Sequence, residues 1–493
     1  MPHSISNRHS IIIRAIACPI ALTVGGAPLS ASAQVQTTAP VRACESFAGQ
    51  TYYNVAVTSA TAVPAADGLP AYCKVSGTER GTEHDIEVRM PDNWQRRYVQ
   101  RGGGGFDGIL QPVRKGDAAL LSGAVQGANN GGHRDPTGEV LFDNPRVTER
   151  YAHGAILTAT RFGKAITEAY YGAAPDYSYY EGCSNGGRGA LNAAAKYGSE
   201  FDGVVAAAPT FNLVGQVSMW TAMSELQMPN RDQFNAINAA AVAKCDLLDG
   251  ARDGIVANLN ACEFDPARDI PAEVGLTPAQ LTAMKVIMEG VQTTDGTRLY
   301  SGFGAGNLNF GAPIVPMFGV GHMRNVVLND HNWSAADFKP DDYLNEIAQV
   351  LEGNYQFSAA IPDLVQFMNK HGKIIIWHGA DDAMLSHNDT IRTWQQLGAA
   401  GGAGLLRDNA RLYIAPGVNH CAGGPGADHI EALNAMMDWV ENGKAPSTLV
   451  ASKVDQATDA TKFTRPLCEF PGYPQYNGSG DSNSADSFTC VTP

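Results

Sequence analysis

The sequence predicts an α/β protein whose parallel-sheet core is interrupted by one long inserted segment. Three observations carry this prediction. Ala155 to Tyr171 has helical apolar spacing, Tyr177 to Glu181 is a short aromatic strand, Gly187 to Tyr197 is helical again, and Gly203 to Ala208 is a small apolar strand. Helix and strand alternating in that order imply a parallel βαβ unit. Two more apolar strands, Lys373 to Trp377 and Arg411 to Ala415, come only much later. The roughly 160 residues between Pro209 and Lys373 are too many for a connection within a compact sheet, so they read as an inserted lid or cap.

Composition supports a globular chain and removes several functions. At 493 residues and 44% hydrophobic, the chain can bury a sizeable core without staples. Its net charge of -14 and the lack of any basic run argue against binding nucleic acid, which requires a concentrated cationic face. No segment after the N-terminus approaches the ~20 apolar residues of a membrane span.

Residues 1–33 read as an export signal. Arg8 and Arg14 precede an apolar stretch from Ala15 to Leu29, and Ala31-Ser32-Ala33 offers a small-residue cleavage site before Gln34. The expected location is therefore secreted or periplasmic. Cys18 leaves with the signal, and eight cysteines remain: Cys44, Cys73, Cys183, Cys245, Cys262, Cys421, Cys468 and Cys490. An even count in an oxidising compartment favours disulfides.

Residues 34 to about 80 are rich in Ala, Thr and Val and read as an irregular or short-stranded arm tied down by Cys44 and Cys73. His84 to Met90 and Arg97 to Gln100 read as strands, separated by a turn at Pro91-Asp92-Asn93-Trp94 and followed by the run Gly102-Gly103-Gly104-Gly105. The α/β core is assigned to 34–210 and 365–493, and the lid to 211–364. The Gly-, Ser-, Asn- and Asp-rich tail from Cys468 to Cys490 is ordered only if those two cysteines close it.

Gly182-Cys183-Ser184-Asn185-Gly186 has the pattern G-x-S-x-G between a strand and a helix. That context is the nucleophile elbow of an α/β-hydrolase core, in which Ser sits on a strained turn and glycines let the neighbouring chain approach. The helix N-terminus and the Asn185 amide can then stabilise negative charge. Serine needs a base, and the order Ser, acid, His is met by His420 after the strand ending at Ala415 and by Asp381 or Asp382 after the strand ending at Trp377. Spacing alone leaves Asp381 and Asp382 nearly equal. Because Cys183 precedes Ser184 and Cys421 follows His420, a Ser-His contact brings the two cysteines within bonding range. The glycine run supplies candidate backbone amides for a second oxyanion donor. The loop from Cys245 to Ile255, with Asp246, Asp249 and Asp253, suits either a solvated turn or a hard cation such as calcium.

These residues resemble the tannase and feruloyl esterase family of secreted α/β-hydrolases. The resemblance rests on Gly102 to Gly108, Gly182 to Arg188, Phe201 to Val205, Asp246 to Ile255, His378-Gly379 with Asp382, and Asn419-His420-Cys421. It implies a carboxylic-ester hydrolase acting on small aromatic esters, feruloyl, galloyl or related, through an acyl-enzyme. Ser184 would be the nucleophile, His420 the base, Asp382 its orienter, and Gly105 and Asn185 the oxyanion donors. It further implies structural calcium held by Asp246, Asp249 and Asp253 side chains and by the carbonyls of Ala251 and Ile255. The implied disulfides are Cys44–Cys73, Cys183–Cys421, Cys245–Cys262 and Cys468–Cys490. Some members cleave terephthalate mono-esters, and by loose correspondence with them Arg324 is a candidate to bind a substrate carboxylate, with a surface arginine the favoured reading. Asn185, where those members carry Glu, and the lack of an extra lid cysteine pair weaken the terephthalate reading. The non-enzymatic alternative is a calcium-stabilised binding module.

Overall fold

The computed structural model describes residues 37–306 and 314–493. The export signal expected over 1–33 lies outside the described residues.

Eight strands precede the insertion: β1 (Thr51–Tyr52), β2 (Val55–Val63), β3 (Tyr72–Glu79), β4 (Asp85–Pro91), β5 (Arg97–Arg101), β6 (Ala124–Asn129), β7 (Tyr177–Cys183) and β8 (Gly203–Ala207). The inserted segment carries the short ribbon β9 (Gly290–Gln292) and β10 (Arg298–Ser301). It is followed by β11 (Lys373–Gly379), β12 (Ala410–Ala415) and two hairpins, β13 (Thr448–Val454) with β14 (Thr461–Cys468) and β15 (Tyr473–Tyr476) with β16 (Phe488–Val491). One ten-stranded sheet runs β1-β2-β3-β4-β6-β5-β7-β8-β11-β12. Its β6-to-β12 part is parallel, and β1 to β4 extend it antiparallel.

The central strands are apolar along their whole length because both sheet faces are covered. Ile374, Ile376, Val204 and Ala206 pack into one core. Their neighbours Ile375, Trp377, Val205 and Ala207 point to the opposite face and pack into another. The helices Ala155–Tyr171 and Asn185–Tyr197 form where expected.

The N-terminal arm differs from its expectation. Instead of irregular chain or short strands, β2 and β3 are strands of nine and eight residues paired along their length. Their Val55, Val57, Cys73 and Val75 side chains alternate into a core with Ile86, Val88 and Phe162. Alternation with Thr, Ser and Ala is a weak strand signal alone, and pairing to β4 decides it. The Cys44–Cys73 disulfide fixes the preceding turn to β3. The tail is closed as expected, by Cys468–Cys490 beside the β15–β16 hairpin.

Register sets up the site. Cys183 is opposite Ala207, Ala207 opposite Trp377, and Gly379 opposite Ala415. The carboxyl ends of β7, β8, β11 and β12 therefore lie along one sheet edge, the position where open α/β sheets present ligand-binding loops.

Candidate active site

Ser184 follows β7 on a turn with φ 63° and ψ -123° and opens the helix Asn185–Tyr197. A non-glycine residue in that region is strained, and the surrounding contacts hold it there. A Cβ at Gly182 would lie 2.5 Å from the Gly186 carbonyl carbon, and one at Gly186 would lie 2.6 Å from the Gly103 oxygen. Glycine is thus required at the elbow by close backbone approach, and this approach also draws the glycine run after β5 against it.

The loop after β11 sets Asp382, and not Asp381, against His420. Oδ2 of Asp382 is 2.7 Å from His420 Nδ1. Its Oδ1 accepts from the backbone N–H groups of Met384 (2.7 Å) and Leu385 (2.9 Å). His378 Nε2 approaches the same Oδ2 at 3.2 Å and the Leu385 carbonyl at 3.1 Å. Asp381, also buried, packs against Gly306 instead, with its own N–H donating to the Val418 carbonyl. Burial alone would raise the Asp382 carboxyl, but the imidazoles of His420 and His378 prevail and hold it below the ordinary carboxylate range. Burial would lower His420, yet the facing Asp382 charge and hydrogen bond raise it above the usual histidine value. The carboxylate can only accept, so His420 Nδ1 carries a proton and Nε2 keeps its lone pair.

Cys183 and Cys421 are bonded, with Cα atoms 5.9 Å apart. The bridge joins the residue before Ser184 to the residue after His420 across 238 positions of sequence. Cys183 is therefore a disulfide partner rather than a free thiol. Cys245–Cys262 closes the acidic loop.

Ser184, Asn185, Gly105 and His420 line one cavity of about 390 Å³, a size suited to a small ligand. Leu213, Trp220, Phe318 and His322 from the inserted segment form an apolar wall of this cavity. Phe318 packs on Phe106 and Trp220 at ring separations of 5.2 and 5.7 Å. Burial pushes His322 down to about 4, so it is a neutral member of that wall, anchored by Nδ1 to the Phe318 carbonyl at 2.8 Å. Sequence reasoning missed this wall, and the contact of His378 with Asp382. Aromatic residues at helical spacing look like ordinary core until the helix is seen to face a cavity.

Arg324 is not among the residues lining the cavity. Its Nε donates to the Trp333 carbonyl at 2.8 Å within the inserted segment. The helix containing Phe318 and His322 passes into a π-helical turn at Met323–Val327, which changes the face presented by the following residues. The arginines lining the cavity are Arg89, Arg101, Arg114 and Arg188.

In the acidic loop, Asp246 and Asp249 are buried. Asp246 Oδ1 accepts from the N–H groups of Asp253 (3.2 Å) and Gly254 (2.9 Å), and Asp253 Oδ2 pairs with Arg465 at 2.6 Å. Burial, reinforced by Asp253 and Asp246, pushes Asp249 up to about 6. Among the described residues no group of three or more His, Cys, Asp or Glu side chains is arranged to hold a metal. The loop's two buried carboxylates repel each other and are hard oxygen donors, which suit calcium better than a transition metal.

Comparison with known proteins agrees with this architecture. Residues 73–491 match the family model described as tannase and feruloyl esterase. The chain is 33% identical to a probable feruloyl esterase of Arthroderma benhamiae, with 82% of each chain covered. It is 31% identical to the mono(2-hydroxyethyl) terephthalate hydrolase of Piscinibacter sakaiensis, covering 88% of this chain and 87% of that one. The structure of feruloyl esterase B from Aspergillus oryzae superposes with a TM-score of 0.81 at 26% identity, covering 91% of this chain and 99% of the other. No helix of the described residues is long and apolar enough to cross a membrane, and the four disulfides fit an extracellular protein. With that match spanning most of its length, the chain belongs to the tannase and feruloyl esterase family and is a carboxylic-ester hydrolase of that type.

Proposed function

We propose that the protein is an exported serine esterase that cleaves esters of aromatic acids, feruloyl, galloyl or related, through an acyl-enzyme. The observation that carries this reading is the His420–Asp382 contact at 2.7 Å in a loop disulfide-tied to the Ser184 elbow.

Asp382 fixes the His420 tautomer, leaving Nε2 as base. Ser184 Oγ attacks the ester carbonyl while His420 Nε2 takes its proton. The tetrahedral oxyanion is held by the N–H groups of Gly105 and Asn185, the latter at the positive end of the helix Asn185–Tyr197. Collapse expels the alcohol, which takes the proton from His420. Water then attacks the acyl-serine, His420 again taking a proton, and Ser184 is restored with release of the acid.

The aromatic wall of Trp220, Phe318 and His322 supports an aromatic acyl group, with residues 211–364 acting as the lid that supplies it. Calcium would be held by Asp246, Asp249 and Asp253 and the carbonyls of Ala251 and Ile255, with a structural role away from the chemistry. The burial of Asp246 and Asp249 supports that assignment.

A terephthalate mono-ester is the second reading, favoured by the 31% identity to the Piscinibacter enzyme. The position of Arg324 outside the cavity lining counts against it. Hydrolysis of methyl ferulate, methyl gallate and mono(2-hydroxyethyl) terephthalate by the purified protein separates the two. The proposal predicts that a phenolic ester has the highest kcat/KM. Turnover restricted to the terephthalate ester contradicts it.

A further inference from the structure

The two residues assigned as oxyanion donors, Gly105 and Asn185, are joined by one largely buried hydrogen-bond circuit that the reaction scheme does not use. Tyr151 Oη donates to the Gly105 carbonyl at 2.9 Å. The Tyr151 carbonyl accepts from Arg188 Nη2 at 2.9 Å, and Arg188 Nε donates to Asn185 Oδ1 at 2.7 Å. Asn185 Nδ2 then donates to Asp107 Oδ1 at 2.7 Å, and the Asp107 N–H returns to the Gly104 carbonyl at 2.8 Å. The path starts at the glycine run, crosses the elbow and comes back to the residue before Gly105.

Its members are committed to it. Arg188 and Asp107 are 4% and 8% exposed. The Arg188 guanidinium also donates to the carbonyls of Ala152 and Phe357, and it sits 5.2 Å from the ring centroids of both Tyr151 and Phe357. Phe357 belongs to the inserted segment, so the circuit also touches the lid. Asp107 is wedged beneath the glycine run: a Cβ at Gly103 would lie 2.9 Å from its Cγ, and one at Gly131 would lie 2.4 Å from its Cβ. Asp107 itself takes φ 52°, a strained value for a non-glycine residue. Burying a carboxylate and a guanidinium this far is costly unless both are fully hydrogen-bonded. A simple turn after β5 needs neither.

We infer that Asp107, the Asn185 side chain, Arg188 and the Tyr151 hydroxyl are positioning residues that fix the Gly105 and Asn185 amides at the separation an oxyanion requires. Oxyanion donors contribute because they are aimed before the reaction begins, so an error of a few tenths of an ångström in either amide weakens the transition state without affecting ground-state binding. The Gly105 amide lies on the loop after β5 and the Asn185 amide at the start of a helix, and the two residues share no backbone hydrogen bond among those of the described residues. Backbone contact at Gly103 and Gly186 and the Gly102 N–H to Glu181 carbonyl bond bring the two segments together, and the side-chain circuit adds the link between the donor residues themselves. The inference rests on the serine-esterase reading above.

Four variants test it: Tyr151→Phe removes only the hydroxyl, Asn185→Ala keeps the backbone N–H, Asp107→Asn keeps the shape and an acceptor, and Asp107→Ala removes both. Each is measured for kcat and KM on one aromatic methyl ester. Each is also titrated with an aryl trifluoromethyl ketone, which forms a tetrahedral oxyanion on serine, and with the product acid, which does not. The expected result is a fall in kcat of roughly tenfold to a hundredfold for Asn185→Ala and Asp107→Ala, part of the loss of a whole oxyanion donor. KM and product-acid affinity stay within about twofold, ketone affinity falls in step with kcat, and Asp107→Asn retains most activity. Tyr151→Phe should lose less, and combined with Asn185→Ala it should lose less than the product of the single effects, as members of one network do. If ketone and product acid weaken equally, or the losses multiply independently, the circuit only shapes the cavity and the inference is overturned. Should Asp107→Ala fail to fold, Tyr151→Phe and Asn185→Ala carry the test. Hydrolysis that survives Ser184→Ala would overturn the esterase reading itself, a separate outcome.

Discussion

Asp382 Oδ2 faces two imidazoles at once, His420 Nδ1 at 2.7 Å and His378 Nε2 at 3.2 Å, while its Oδ1 is filled by two backbone amides. All the lone pairs of this fully buried carboxylate are thereby directed, and only an ionised acid can accept so many donors. Asp382→Asn should lower kcat by on the order of 10⁴ by disturbing the His420 tautomer. Asp381→Asn should cost far less. Parallel kinetics on the two variants check this, and a larger loss in Asp381→Asn would reassign the acid.

The raised position of His420 gives the pH profile a sign. A base must be neutral to act, so activity should be lost as pH falls through a midpoint above the ordinary histidine value of ~6.5 and be regained as pH rises through it. In Asp382→Asn the raising charge is gone while burial remains, so the acid limb of the residual activity should move to lower pH. A limb that stays in place in the variant would show that the profile reports another group.

The Cys183–Cys421 bridge holds the His420 loop to the Ser184 turn, and if the two act together a displacement of about 1 Å can cost on the order of 10² in rate. The double substitution Cys183→Ser with Cys421→Ser should therefore reduce kcat by roughly tenfold or more while far-ultraviolet circular dichroism is little changed. Full activity in that variant would leave the bridge a purely structural element. Peptide mapping without reduction should recover the two cysteines as one cross-linked species.

Calcium, if bound only by the folded chain, stabilises by mass action, about 2.7 kcal/mol at a hundredfold excess over Kd. Chelation should lower the melting temperature, calcium should restore it, and Asp249→Ala should remove the difference. A melting temperature indifferent to chelator, with no metal in elemental analysis, favours a solvated turn.

Much of this site was legible in the sequence because its elements are local patterns with a mechanical cause. The elbow needs Gly182, Gly186 and Gly187 where backbones touch, and His420 and its acid had to follow apolar strands. The pairing of Cys183 with Cys421 followed from the neighbours they keep. Other features depend on contacts distant in sequence. Asp381 and Asp382 are equivalent by spacing, and only the turn that sends Asp382 toward His420 separates them. Arg324 could be placed only by seeing which face the helix turns to the cavity after His322. The arm read as irregular or short-stranded because Thr, Ser and Ala are poor markers of a strand whose stability comes from the neighbour it pairs with.

The central claim is that Ser184 forms the acyl-enzyme, and Ser184→Ala measured on an aromatic methyl ester tests it most directly. The substitution removes the nucleophile and relieves backbone strain no further than Ser does, so the fold and its melting temperature should persist. Turnover should drop by on the order of 10⁶, as losing a nucleophile of this kind typically does. Retention of more than about a hundredth of wild-type turnover by the folded variant would contradict the account.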